Sequence, residues 1–469
     1  MCFPSRPLIS SLCGELLIVG SRGMQLRLLC FIGALCIPLS SAFAQTTPSQ
    51  PYRPPLETTP VVQQQPSPSP SPTTAPSEET RPLYGFQGVL IETLDGKVVS
   101  SQNASQQFNP ASTIKLATAL VALRTLGPEH RFATAVWTDG TLDKTTGIVN
   151  GSLYISGRDP SFHYEHAVLL AHELNQLGIT QFTGGLFVAP GFTMNFDWSV
   201  QRSGAKLYDT LDSKLRYAEA VRAWNYERNL LNDHAALETI PSVAITGAVG
   251  VAPVPSTAKL LLTQKSSKLV EILKVLLCYS NNFMAERIGE TLGGPSSVTQ
   301  QLVAILGIGP GELRLSSLSG LGINRVSPAV MMKIYRALRT ELAKYHFSPS
   351  DIMPVAGIDP GTLQERFTGQ AWRGSVIAKT GTLARTDGGA SALVGQLKAA
   401  NGEILLFVIM NQRGSVTRFR ENQDYLVMLV QNTRGGPKAF DYKPITLMMQ
   451  LSDTESTVAD DEQPKVKGQ

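Results

Sequence analysis

Apolar side chains recur at Ile114, Ala117, Leu120 and Val121, the spacing of one helical face, and Gly127-Pro128 stops the run. Ahead of it, 86–94 and 97–100 read as a hairpin, because Asp95-Gly96 between them suits a tight turn. A further strand-like run covers 132–138. Helical spacing returns at 267–277, 283–292 and 328–344, and 375–380 is strand-like again. A second hairpin, 389–397 with 404–410, turns at Asn401-Gly402, and 423–432 closes with a helix. Strands at both ends with helices between them predict an α+β fold, an antiparallel sheet of first and last segments flanked by helices.

Between 139 and 255 the texture changes. Short strand candidates at 151–155, 183–188 and 242–245 alternate with glycines and polar loops around one helix, 166–177. This stretch is expected to form an inserted strand-rich domain with its own small core. It splits the main domain into 83–138 and 256–447, an organisation that suits a chain of 469 residues. A polar tail is assigned to 448–469, and after Ser452 it is expected to be disordered.

Residues 1–82 bear on the chain's address. Residues 45–82 are dominated by Pro, Gln, Ser and Thr, a composition that cannot bury a core and reads as an extended linker. Before it, Arg27, an apolar run over 28–39 and Ala42-Phe43-Ala44 have the layout of a signal peptide over 24–44, with 1–23 as an upstream extension. Export to the periplasm or cell envelope is expected, with an uncleaved membrane anchor as the alternative. Cys2, Cys13, Cys30 and Cys36 would leave with these segments, so the mature chain keeps only Cys278 and no internal disulfide. A net charge of +4 with no basic run offers nothing to nucleic acid.

The helix that begins near 112 carries the first candidate chemistry. Ser112-Thr113-Ile114-Lys115 puts a hydroxyl and an amine one turn apart on the same side. A serine needs a base within hydrogen-bond reach, and a lysine serves if burial and a second cation strip its proton. The free N–H groups at the helix start could receive an oxyanion. Alone the pattern is weak, since a chain this long holds about two S-x-x-K sets by accident. Ser203 with Lys206 and Ser256 with Lys259 repeat it, the first in a loop-like stretch and the second before a strand, and both read as chance.

Two further motifs follow in order: Ser280-Asn281-Asn282, between two helices, and Lys379-Thr380-Gly381-Thr382, at the end of a strand. A K-T-G triplet arises by chance in only about one such chain in ten. With this ordered set the chain resembles the serine penicillin-binding proteins. More narrowly it resembles their DD-carboxypeptidase/DD-endopeptidase branch, which carries a large insertion between the first two motifs. Gly157-Arg158-Asp159-Pro160-Ser161, Ser319-Gly320-Leu321, Asn324 to Pro328 and Pro354 to Gly357 add to the likeness, which covers about 84–435.

The resemblance implies a penicillin-binding, transpeptidase-like catalytic domain. In it Ser112 attacks the carbonyl of a D-Ala-D-Ala bond in a peptidoglycan stem peptide and Lys115 takes its proton. Ser280 and Lys379 relay that proton to the leaving amine, and Lys379 keeps Lys115 neutral by repulsion. Asn282 holds Lys115 and the substrate amide, while Thr380, Gly381 and Thr382 bind the substrate, the two threonines at its terminal carboxylate. The N–H groups of Ser112 and Thr382 form the oxyanion hole. β-Lactam antibiotics become ligands, and no metal or organic cofactor is implied.

Alternatives remain open. Tyr279-Ser280-Asn281 also reads as Y-x-N, in which a tyrosinate relays the proton and Asn281 does the holding. A serine β-lactamase or a catalytically silent wall-binding scaffold would carry the same triplets. His163, His166, His172 and Glu173 are clustered, but the two helical histidines six apart do not share a face, so a solvated helix is expected rather than a metal site. Asp159-Pro160 reads as a turn, Arg325 as a tie between loops, and Cys278 as a small buried apolar residue.

Overall fold

The run Ile404–Gln412 shows no polar–apolar alternation because both of its faces are covered. Leu406, Val408 and Met410 enter one apolar core, while Leu405, Phe407 and Ile409 enter another on the opposite side of the sheet. This strand is the middle of five antiparallel strands in the order Val376–Leu383, Ala390–Lys398, Ile404–Gln412, Phe86–Thr93 and Val98–Gln102. First and last segments of the chain do meet in one sheet, as expected. The computed structural model describes residues 84–459. The expected extension 1–23, signal peptide 24–44 and linker 45–82 lie outside the described residues.

One face of the sheet carries a layer of helices centred on Lys115–Leu126, which is buried from Lys115 to Leu123 and packs on Pro328–Ala343. Burial on every side explains why its apolar stripe is broad. Leu269–Tyr279, Asn282–Thr291 and Gly294–Leu306 complete that layer. The last of these helices is not anticipated by the apolar pattern, because Gly293-Gly294-Pro295 reads as a loop although Pro fits the first turn of a helix. Val416–Asn432 covers the other face through Val427 and its neighbours.

A second core is built on a six-stranded sheet in the order Val249–Val251, Leu186–Val188, Leu153–Gly157, Ala133–Thr138, Lys259–Lys265 and Glu455–Val458. Its centre includes Val136, Leu153, Ile155, Leu174, Leu207 and Leu262. The strands just before and just after the inserted stretch therefore belong to this sheet. The inserted stretch holds three helices rather than the one expected: Tyr164–Gln176 and Val200–Leu211 pack on this core, and Ala218–Leu230 packs on Tyr164–Gln176 through Trp224.

Two local readings are corrected. Ser203 is not in a loop but buried in the Val200–Leu211 helix, where its hydroxyl accepts from the Met194 N–H at 3.1 Å. The helix escapes a periodicity search because small residues fill its packing face; a Cβ on Gly204 would stand 3.0 Å from Val188. Its start is capped by Ser199, and Asp197 pairs with Arg202 and Lys206 at 2.7 and 2.8 Å. The tail is not disordered up to 459. Leu447–Ser452 is a helix that buries Leu447 and Leu451, and Glu455–Val458 adds a strand beside Lys259–Lys265. The side chains of that strand are all exposed, so its order comes from backbone pairing, which composition does not register.

Candidate active site

Asn109-Pro110 sets the local geometry. The Asn109 carbonyl side-chain oxygen accepts from the Ala111 N–H at 3.1 Å, and the Thr113 hydroxyl donates to the Pro110 carbonyl at 2.7 Å. A single 3-10 turn, Ala111–Ile114, then runs into the Lys115–Leu126 helix. Ala111 takes a φ of 46°, a conformation that L residues hold only under constraint. The constraint is visible on both sides. A Cβ on Gly320 would lie 2.1 Å from the Ala111 carbonyl, and one on Gly381 would lie 2.6 Å from the Pro110 carbonyl. Two glycines thus let two other segments press against the backbone that presents Ser112.

Lys115 is fully buried, and its Nζ meets three oxygens: Ser112 Oγ at 3.0 Å, Asn282 Oδ1 at 2.7 Å and the Ser319 carbonyl at 2.5 Å. Burial depresses its pKa most, the charge of Lys379 adds to this, and Glu286 opposes both. Repulsion from Lys379 is therefore the second cause rather than the first. Lys379 is itself fully buried and pushed down to about 7 by that burial. Its ammonium donates to the Thr380 carbonyl at 2.8 Å. Among the described residues it makes no hydrogen bond to Ser280.

Ser280 closes the Leu269–Tyr279 helix at φ 57°, and the next helix starts at Asn282. Asn281 spends its side chain on the cap, accepting from the Met284 N–H at 3.0 Å. Asn282, not Asn281, reaches Lys115. Ser112, Ser280, Thr380, Thr382, Arg366 and Arg420 all line one cleft of about 560 Å³. The expected residues Ser112, Lys115 and Asn282 are in direct contact, Gly381 packs on the Ser112 turn, and Ser280, Thr380 and Thr382 share the cleft wall.

Two side chains were not singled out from sequence. Glu286 accepts from the N–H groups of Leu318 and Ser319 at 3.1 and 2.8 Å, which aims the Ser319 carbonyl at Lys115. It lies four residues after Asn282 on the same helix face, so the spacing held a signal. Glu286→Gln keeps an oxygen for both N–H groups and removes the charge that favours protonated Lys115. The acid limb of a pH–acylation profile is then expected to move to lower pH; an unmoved or upward limb would reject this role. Arg420 is the other, and its guanidinium donates to Thr382 Oγ1 at 2.8 Å.

The remaining expectations sort out locally. Arg325 grips Asp387 with two bonds of 2.8 and 2.9 Å, and Asp387 also accepts from Asn109 at 2.7 Å, so the loop after Thr382 is tied to the chain before Ser112. Asp159 caps its own turn, accepting from the Ser161 N–H and hydroxyl at 2.8 and 2.6 Å. Cys278 is buried, and its thiol is pushed up to about 12. The histidine cluster is solvated only in part: His163 and His166 are buried together with Glu165, while His172 and Glu173 are half-buried. Both ring nitrogens of His166 are committed, Nδ1 to the His163 N–H at 2.9 Å and Nε2 to the Leu451 carbonyl at 3.0 Å. The ring holds the C-terminal helix in place.

Comparison with known proteins gives the same outline. The family model described as D-Ala-D-Ala carboxypeptidase 3 (S13) matches residues 83–205 and 217–433. A D-alanyl-D-alanine carboxypeptidase of Actinomadura sp. (strain R39) is 25% identical over 419 residues, covering 69% of this chain and 77% of its own. Among solved structures, a predatory endopeptidase of Bdellovibrio bacteriovorus superposes with a TM-score of 0.67 at 22% identity, covering 80% of this chain and 100% of its own. Penicillin-binding protein 4 of Haemophilus influenzae gives 0.55 at 20% identity, covering 74% and 97%. At these identities the two structures speak for the fold.

Proposed function

The chain belongs to the D-Ala-D-Ala carboxypeptidase 3 (S13) family, and on that premise we propose that it is a serine DD-peptidase acting on peptidoglycan stem peptides. It removes terminal D-Ala and cuts D-Ala-to-diaminopimelate cross-links through one acyl-enzyme. The observation that carries this reading is the buried Lys115 amine 3.0 Å from Ser112 Oγ. When Lys115 is neutral, its two N–H groups are taken by Asn282 and the Ser319 carbonyl. The lone pair is left facing the Ser112 hydroxyl. That geometry selects a base, not a salt bridge.

Oγ then bonds to the substrate carbonyl carbon as Lys115 accepts its proton. The negative charge that develops on the carbonyl oxygen is met by the N–H groups of Ser112 and Thr382. As the C–N bond breaks, the proton passes by way of Ser280 and Lys379 to the leaving amine. Water repeats the sequence on the ester and releases Ser112. Thr380 and Thr382 hold the carboxylate on the leaving side, and Gly381 keeps that strand close enough to do so. In a β-lactam the leaving nitrogen stays tethered to the acyl group, so the adduct is expected to persist. The 24–44 segment and the 45–82 linker support an exported enzyme of the periplasm or cell envelope.

The purified chain treated with a fluorescent penicillin is expected to carry one stable adduct, located by mass spectrometry on the peptide that contains Ser112. Penicillin left intact would replace this reading with a silent wall-binding scaffold. Penicillin consumed without an adduct would replace it with a β-lactamase. The middle motif has its own test. Ser280→Ala is expected to slow acylation by about 10²-fold or more, and Tyr279→Phe to change it only severalfold. The opposite ranking would move the relay to Tyr279.

A further inference from the structure

The two N–H groups that meet the oxyanion come from separate segments, Ser112 from a 3-10 turn and Thr382 from the end of the edge strand Val376–Leu383. An edge strand has a partner on one side only, here Ser391 opposite Thr382, so the sheet alone does not fix how far Thr382 stands from the turn. Gly381 sets how near the two segments can come. Each segment also carries a residue in the left-handed region: Ala111 at φ 46°, just before Ser112, and Asp387 at φ 55°, in the loop after Thr382. That conformation persists only where the surroundings enforce it. One buried amide touches both. Asn109 Oδ1 accepts from the Ala111 N–H at 3.1 Å, and its Nδ2 donates to Asp387 Oδ2 at 2.7 Å and to the Gly322 carbonyl at 3.0 Å. Arg325 grips both oxygens of the same carboxylate at 2.8 and 2.9 Å.

We propose that Asp387 is a positioning residue: through Asn109 and Arg325 it holds the Thr382 strand end against the Ser112 turn and so fixes the gap between the two oxyanion donors. The inference rests on the DD-peptidase reading and names what keeps its oxyanion site in register. Asp387 is not among the residues that line the cleft, so it acts through others. Donors aimed at a developing charge must stand in place beforehand, because moving them during the reaction costs rate. A misplacement of about 1 Å caused by a change away from the reacting groups can cost about 100-fold. The loss should fall on the tetrahedral state, whose oxygen is charged, more than on bound substrate, whose carbonyl is neutral.

The test gives the full chain a peptide ending in D-Ala-D-Ala and, separately, a boronic acid analogue with boron in place of the scissile carbonyl carbon. Ser112 Oγ adds to that boron as Lys115 takes its proton, and one oxygen of the tetrahedral boronate occupies the oxyanion site. Asp387→Ala is expected to lower kcat about 10- to 100-fold with KM within about threefold, and to weaken the boronate by a similar factor. Asp387→Asn keeps an acceptor for Asn109 and loses the ion pair, so about 3- to 10-fold is expected in both readouts; it carries the test should the alanine variant not fold. Arg325→Ala should add less than about twofold to Asp387→Ala, because both act through one contact. Unchanged kcat in whichever variants fold overturns the inference, even where the melting midpoint falls, since the clasp is then structural only. A lowered kcat with unchanged boronate affinity also overturns it, because the loss lies outside the oxyanion site. Fully additive losses from Arg325→Ala and Asp387→Ala overturn the shared clasp. A wild type that neither cleaves the peptide nor binds the boronate overturns the functional reading first and this inference with it.

Discussion

Lys115→Met is expected to leave a folded protein whose acylation by penicillin is slower by about 10²- to 10⁴-fold, the range for losing a positioned general base. The two readouts should separate. Methionine fills the same buried space without a group that resists desolvation, so the melting midpoint is expected to hold or rise. The oxygens it abandons are tolerable: Asn282 is half-buried within reach of water, and the Ser319 carbonyl is the one buried acceptor left. A rate within tenfold of wild type would remove Lys115 from the base role, and Lys379, the other buried amine of the site, would become the candidate. Lys379→Met then supplies a sign. The charge of Lys379 lowers the pKa of Lys115, so its removal should move the acid limb of the acylation profile to higher pH. Glu286→Gln should move it the other way.

That pair of opposite shifts also marks what was legible in the sequence. Ser112 and Lys115 lie in one turn, and any helix brings them together, so the pattern can be read locally. The same holds for the Lys379-Thr380-Gly381-Thr382 strand end and for the runs that form the five-stranded sheet. Glu286 acts through the Leu318 and Ser319 N–H groups, and Arg420 reaches Thr382 from the Val416–Asn432 helix; neither contact exists until separate elements pack. The Val200–Leu211 helix hid behind Ser203 and Gly204, small residues that pack closely and leave no apolar stripe. The terminal strand Glu455–Val458 hid for another reason: it is held by its neighbour's backbone and by Arg131, which pairs with Asp453 and Glu455 at 2.7 and 3.2 Å. Residue pattern reports burial and turn chemistry, and it is silent where order comes from long-range polar contacts.

Asp359→Ala is expected to cost about 3–5 kcal/mol, the loss seen when one member of a buried ion pair is removed. Lys274 and Asp359 are 0% and 1% exposed and lie 2.7 Å apart. Asp359 also accepts from the Val355 N–H at 2.8 Å and the Tyr442 hydroxyl at 2.7 Å, while Lys274 donates to the Ser350 and Met353 carbonyls at 2.8 Å. Removing the carboxylate strands a buried ammonium among carbonyl dipoles that only partly replace its partner. For a chain of this size the melting midpoint should fall by about 4–6 °C. The consequence reaches the site. The loop from Asp359 continues into Gly361, where a Cβ would lie 2.2 Å from the Cys278 carbonyl, and Thr362 N–H bonds that carbonyl at 3.0 Å. Tyr279 and Ser280 follow directly, so Asp359→Ala should also slow acylation even well below its melting point. Lys274→Met/Asp359→Asn removes both charges and is expected to recover at least half of the lost stability. If the double variant is no more stable than Asp359→Ala, the stranded charge is not the cause, and the bonds to Val355 and Tyr442 carry the effect instead.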